Sequence, residues 1–116
     1  MQEVTIFYIP FNVHTYVPVT IDSIEKNAAC RFVVPRTGKE AGSLRRDLEN
    51  STKGKFDNDV VRLKVSGLVE QEVFIDMDGG VLFGRGGEEK RLLESHFTSV
   101  KALMKSLSKD HGCDEG

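Results

Sequence analysis

No apolar run in this chain is long enough to span a bilayer. Its opening residues, Met1-Gln2-Glu3, lack the basic-then-apolar layout of a secretory signal peptide. A cytoplasmic protein with no membrane partner is therefore the expectation, and a bacterial source is assumed with it. Cysteine is scarce. Cys30 lies in an apolar setting and Cys113 in a polar stretch, which fits a reducing compartment and predicts no bridge between them. Internal repeats, low-complexity blocks and interdomain linkers are also missing, which excludes solenoids and tandem modules.

What remains is ordinary globular material. A chain of 116 residues, 39% hydrophobic and 29% charged, can bury one core without disulfide or metal staples. The expected organisation is a single domain over residues 1–109 followed by a polar tail, 110–116. A strong charge of one sign is absent too, the formal net charge being −2. The charge is nevertheless uneven. Residues 1–30 hold one Lys against three acids, 31–64 hold nine Lys or Arg against five acids, and 65–116 hold six against ten. The basic middle, with Arg31, Arg36, Arg45, Arg46, Arg62 and Lys64, makes a nucleic-acid surface an alternative. The overall acidic balance argues against it, because the flanking segments can neutralise that patch in the fold.

Hydrophobic periodicity outlines the elements. Val4–Ile9 is apolar on both faces, as suits a strand covered on both sides, and Pro10 ends it. Phe11, Val13, Val17 and Val19 alternate with polar residues and predict a second strand, kept to an edge by Pro18. Thr20 or Asp22 opens a short helix to about Ala29, with Asp22 and Glu25 as a reciprocal cap. Arg31–Val34 reads as a strand stopped by Pro35. Thr37 and Glu40 form a second capping box for a helix that places Ala41, Leu44 and Leu48 on one side. Residues 50–55 read as a polar loop. Val60–Val69 alternates, with Val61, Leu63 and Val65 on one face and Arg62, Lys64 and Ser66 on the other. The stretch 88–109 reads as one long helix, because turns of about 100° per residue gather Leu92, Leu93, Phe97, Val100, Leu103, Met104 and Leu107 in one arc. The resulting fold class is α+β: a single-domain sandwich, with a mainly antiparallel sheet of about five strands. Two short helices and one long C-terminal helix are expected to pack on one face.

Val73-Phe74-Ile75-Asp76-Met77-Asp78-Gly79-Gly80-Val81-Leu82-Phe83 admits two readings. An apolar strand ending in Asp-x-Asp-Gly resembles the nucleophile motif of the haloacid-dehalogenase-like phosphatases. The resemblance implies Asp76 as nucleophile and Asp78 as general acid at the end of the first strand of a parallel sheet. The context departs from that pattern. The motif starts at residue 73, no parallel strands follow to supply the later Lys and carboxylates, and Gly80 stands where the family usually has Thr or Val. The alternative is a hairpin, two apolar runs joined by Asp-Gly-Gly with φ > 0 at the centre of a tight primed turn, and this reading is adopted.

Other motifs carry less chemistry. Gly84-Arg85-Gly86-Gly87 before the long helix suggests a phosphate cradle, but Glu88 and Glu89 would occupy the positive helix end. His96 falls inside the apolar arc, which suits a hydrogen-bonded core residue better than a base or ligand. His111, Cys113 and the acids around them include metal-competent types but have no second ligand cluster to close a site. Asp76 and Asp78 open no calcium loop, since the Glu at its twelfth position is missing. No metal or cofactor is therefore expected.

With the apolar stripe turned to the helices, Arg62, Lys64, Phe74 and Asp76 share the opposite sheet face, joined by His14 and Tyr16. These six residues are the expected contact surface, since aromatics and Arg supply most interface anchors. The expected function is non-enzymatic: a protein-binding module, of the inhibitor or immunity-protein type, that blocks a toxin or enzyme. The competing class is an enzyme or small-ligand protein with a pocket near His96 and Asp76.

Overall fold

The computed structural model describes residues 3–113. The chain forms an α+β domain in which an antiparallel sheet of seven strands, against about five expected, carries the order β2-β1-β4-β5-β6-β7-β3. The strands are β1 (Glu3–Tyr8), β2 (Cys30–Pro35), β3 (Ser51–Lys53), β4 (Val61–Ser66), β5 (Val73–Asp76), β6 (Gly80–Phe83) and β7 (Glu88–Leu92). The helices are α1 (Ile24–Asn27), α2 (Lys39–Glu49) and α3 (Glu94–Asp110). Among the described residues, no helix is long and apolar enough to cross a membrane.

Two cores sandwich the sheet. The first lies under α2 and α3, where Val4, Ile6, Phe32, Leu63, Val65, Val73, Ile75 and Val81 meet Ala41, Leu44, Leu48, Val100, Met104 and Leu107. The second gathers Ile9, Val19, Ile24, Val61, Phe74 and Leu82, with Val13, Ile21 and Phe56 packed against it. Val4–Ile9 is apolar on both faces because both faces of its strand are covered. The expectation that all three helices share one face is corrected by Ile24, which puts α1 on the second face. Glu25 of α1 reaches Lys64 on that same side.

The segment from Ile9 to Ser23 covers the second face, and it is not a strand. Pro10 and Pro18 remove two ladder donors, and the only β-bridge it makes among the described residues is an isolated parallel one, Val19 to Val60. Neither proposed capping box forms. Ser23 and Gly38 stand at the N-caps, each without a side-chain cap bond. Glu25 and Asp22 pair with Lys64 and Arg85 instead.

The long helix is also shorter than its pattern. Glu88-Glu89-Lys90-Arg91-Leu92 consists of good helix formers, yet it is β7, hydrogen-bonded to β6 on one side and to β3 on the other. Pairing on both flanks outweighs a helix propensity worth only tenths of a kcal/mol per residue, about 0.7 at most. Gly84-Arg85-Gly86-Gly87 is therefore the β6–β7 turn, with Gly84 at φ +83° and Gly86 at φ +68°. No helix begins there, which removes the phosphate-cradle reading. The polar loop at 50–55 contains β3, an edge strand too short and too polar to show a period of two.

Cys30 and Cys113 are bonded, contrary to expectation, with Cα atoms 6.1 Å apart. Fold position explains this, since Cys30 starts β2 and Cys113 follows the last turn of α3. The bond ties the end of α3 to the sheet edge, so part of the segment read as a free tail is anchored. Asp114, Glu115 and Gly116 of that tail lie outside the described residues. With a sequence separation of 83, the cross-link restricts the unfolded chain by about 4.5 kcal/mol in the chain-entropy account.

β5 and β6 form the expected hairpin, with a different turn. Ile75 pairs with Val81, the Gly79 N–H donates to the Asp76 carbonyl at 3.3 Å, and Gly79 alone takes positive φ, +94°. The connection is thus a three-residue turn rather than a two-residue primed one. Gly80 matters for proximity rather than for φ. A Cβ there would sit 2.4 Å from both the Asp76 Oδ2 and the Lys55 carbonyl oxygen. Gly80→Ala should cost on the order of 3 kcal/mol through overpacking of backbone and a buried carboxylate. Gly86→Ala, with open space around its Cβ, should lose only about 1 kcal/mol to its positive φ. Urea midpoints that fall equally for the two variants would contradict this account of the hairpin.

Candidate functional site

The six expected contact residues separate into two groups. Arg62, Lys64, Phe74 and Asp76 are buried, Phe74 at 0% exposure, whereas His14 and Tyr16 are exposed. The alternation of β5 was read correctly, with Phe74 turned away from α2 and α3, but the face it turns to is closed by the 9–23 segment. An open sheet face is therefore corrected to a second core. The surface that remains is the loop His14-Thr15-Tyr16-Val17-Pro18.

Each buried polar residue has a local task. Asp76 accepts backbone N–H bonds from Asp78 and Gly80 on Oδ1 and from Asp57 on Oδ2, each at 2.8 Å. Three charge-assisted bonds to one carboxylate staple the β5–β6 turn to the segment before β4, and this is the position that resembled a phosphatase nucleophile. Lys64 lies between Glu25 and Glu72, with its Nζ 2.9 Å from Glu72 and 5.8 Å from the centre of the Phe7 ring. Burial depresses the Lys64 pKa, but its hydrogen bonds to Glu25 and Glu72 outweigh burial and the net shift is upward. Arg85 bonds Asp22 and lies 3.9 Å from Glu72. These pairs tether α1 and its approach to β4 and β5.

Arg62 differs from both. The register of β4 on β5 shifts between Val61 and Leu63, a bulge that breaks the expected alternation and sends Val61 to the second core while Leu63 and Val65 face the first. Arg62 occupies the irregular position. It is 1% exposed, its Nη1 donates to the Val61 carbonyl at 3.1 Å and its Nη2 to the Val13 carbonyl at 2.9 Å. Its Nε has no hydrogen-bond partner, and among the described residues no carboxylate pairs with it. Burial lowers its pKa. Arg62 lines a cleft of about 280 Å³ with His14, Tyr16, Pro18, Asp59 and Met77.

A larger cleft of about 470 Å³ lies beside the end of α2, where Leu48, Val69 and Phe83 are ringed by Arg45, Glu49, Glu88 and Lys90. Of the remaining basic residues considered for nucleic acid, Arg31, Arg36 and Arg46 are exposed and Arg45 is half-buried. Among the described residues, no cluster of three His, Cys, Asp or Glu side chains is placed to hold a metal ion.

His96 and Asp76 have different partners. His96 Nδ1 lies 2.8 Å from Asp47 Oδ1, linking α3 to α2, with side-chain exposures of 26% for His96 and 4% for Asp47. The other Asp47 oxygen is buried without a partner. Asp47 was missed from the sequence, although a signal exists. It falls on the apolar side of α2 between Leu44 and Leu48, as His96 does on α3, and polar residues on the buried faces of two helices call for each other. His96→Leu should cost about 3 kcal/mol by stranding a buried carboxylate. The double variant with Asp47→Leu should recover most of that loss, so the cycle yields a coupling of at least about 1 kcal/mol. Additive losses in thermal or urea unfolding would show that the pair contributes no joint stability.

Comparison of the chain with protein-family models, with curated proteins and with solved structures gives no match.

Proposed function

We propose that this protein is a protein-binding module that recognises its partner through the His14–Pro18 loop rather than through its sheet. One observation carries the reading. Tyr16 is 108% exposed and Val17 beside it 62%, yet the loop that displays them is held at both ends. On one side, Val13 N–H donates to the Pro10 carbonyl at 3.0 Å, and its own carbonyl accepts from Arg62. On the other, Val19 N–H donates to the Asp59 carbonyl and Val61 N–H to the Val19 carbonyl, both at 3.0 Å. Thr15 Oγ1 donates to the Val17 carbonyl within the loop, at 2.7 Å, and Pro18 fixes one φ. A projecting Tyr on anchored backbone is an interface anchor whose ordering cost is largely met before binding.

A small domain with a projecting aromatic loop, anchored at both ends, suits the occlusion of another protein's cleft. The inhibitor or immunity-protein class is therefore retained, with a toxin or enzyme as partner and no cofactor in the mechanism. The Cys30–Cys113 bond removes the ground for a reducing compartment, and it favours an oxidising one over the cytoplasm.

The test is comparative capture. A protein retained by the wild-type chain and by a distant surface variant, Lys105→Ala, should be lost by Tyr16→Ala. Its Kd, measured by calorimetry, should weaken about 30-fold or more with Tyr16→Ala, equivalent to about 2 kcal/mol, with the unfolding midpoint unchanged. A partner bound equally well by Tyr16→Ala would move the interface elsewhere.

A further inference from the structure

Among the described residues, Arg62 has no counter-charge within ion-pair distance. A guanidinium carries five N–H donors, and with Nη1 and Nη2 each bonded to a carbonyl, Nε is left without a partner. Desolvating a cation without an anion costs several kcal/mol, and carbonyl dipoles return only part of that. The chain spends a β-bulge on the arrangement, and bulges serve to re-aim a side chain near functional sites. Met77 and Val60 could line the same cleft without any charge. The observation left over is a buried guanidinium with an unpartnered Nε, in the wall of a cleft that is also lined by the most exposed aromatic in the molecule.

We infer that Arg62 is the receptor for a carboxylate that enters the cleft beneath the His14–Pro18 loop. A planar two-oxygen group matches the Nε edge of a guanidinium, and its single negative charge balances a single cation. Asp59 also lines the cleft, so an entering anion meets one like charge, which weighs more heavily on a dianion such as phosphate than on a monocarboxylate. Entry requires the loop to lift, because Arg62 is buried. Among the described residues, no backbone hydrogen bond ties positions 14–18 to the sheet, the anchors being Val13 and Val19 on either side. The loop can therefore rise without breaking a ladder. Binding would then couple loop position to carboxylate occupancy, so that Tyr16 and Arg62 act on one partner. This last step rests on the reading of the loop as the recognition surface; the carboxylate site itself does not.

The experiment follows the Arg62 Nε–H resonance and the backbone amides of residues 13–19 and 59–62 in the wild-type protein. Sodium acetate is titrated against sodium chloride and inorganic phosphate at matched ionic strength. Acetate should give a saturable shift at Arg62 Nε–H and in the loop, chloride and phosphate should not, and Arg62→Gln should abolish the response. Because the main readout is in the wild type, it survives a variant that fails to fold. Tyr16→Ala should keep the acetate shift while losing protein capture, which separates failure of the partner reading from failure of this site. Displacement of acetate by a captured partner would assign the carboxylate to that partner, and retention of acetate beside it would assign the site to a free small acid. An absent acetate shift, or an equal shift with chloride or phosphate, overturns the inference.

Discussion

Closure of the second sheet face constrains most of the molecule. β4 and β5 lie in the middle of the sheet, and Phe74 and Lys64 pair directly across them on the side away from α2 and α3. Leaving Phe74 in water would forgo on the order of 2 kcal/mol of burial, so the chain covers it with Ile9, Val19 and Ile24. That cover is irregular backbone and must be tied down. Lys64 with Glu25, Arg85 with Asp22, and Arg62 with the Val13 carbonyl do this. The polar residues of the second face are thus fastenings for its lid, and the exposed loop is what remains between two of them.

The sheet's alternation was legible and the identity of its cover was not. Val4–Ile9 announced burial on both sides, and α2 showed its buried stripe through Ala41, Leu44 and Leu48. The hairpin was legible from Asp78 and its glycines. The run 11–19 misled because the alternation in its sequence is not kept in its backbone, Val13 and Val19 packing on the second core while Val17 is exposed beside Tyr16. β7 misled because Glu88–Leu92 continues the helical arc of α3 in phase, and only its neighbours β6 and β3 decide its conformation. The bulge at Arg62 left no trace in the pattern, since one extra residue in a strand looks like uninterrupted alternation until its partner strand is placed. The six candidate contact residues divided accordingly. Four were placed on the correct face of a sheet wrongly taken to be open, and two, His14 and Tyr16, were added from a strand that does not exist yet lie on the surface.

The Cys30–Cys113 bond and the Asp47–His96 pair share a character. Both join α3 to elements far earlier in the chain, one at its end to β2 and one near its start to α2. Neither partner is recognisable alone, because each is a pairing across more than 45 positions, 83 for the cysteines and 49 for the carboxylate–imidazole pair. With α3 held at both ends and the second face fastened by charge, the 14–18 loop stands out by carrying two adjacent exposed apolar side chains, Tyr16 and Val17, on backbone with few bonds of its own.

The central claim is that the second sheet face is sealed and that recognition is confined to the loop above Arg62. Solvent paramagnetic relaxation with a neutral soluble probe measures this most directly, residue by residue. The account predicts strong relaxation of the Tyr16 ring and the Val17 methyls, with the Phe74 ring and the Arg62 and Lys64 side-chain resonances as protected as Val65 in the first core. Relaxation of Phe74 comparable to that of Tyr16 would show an open sheet face and contradict the account.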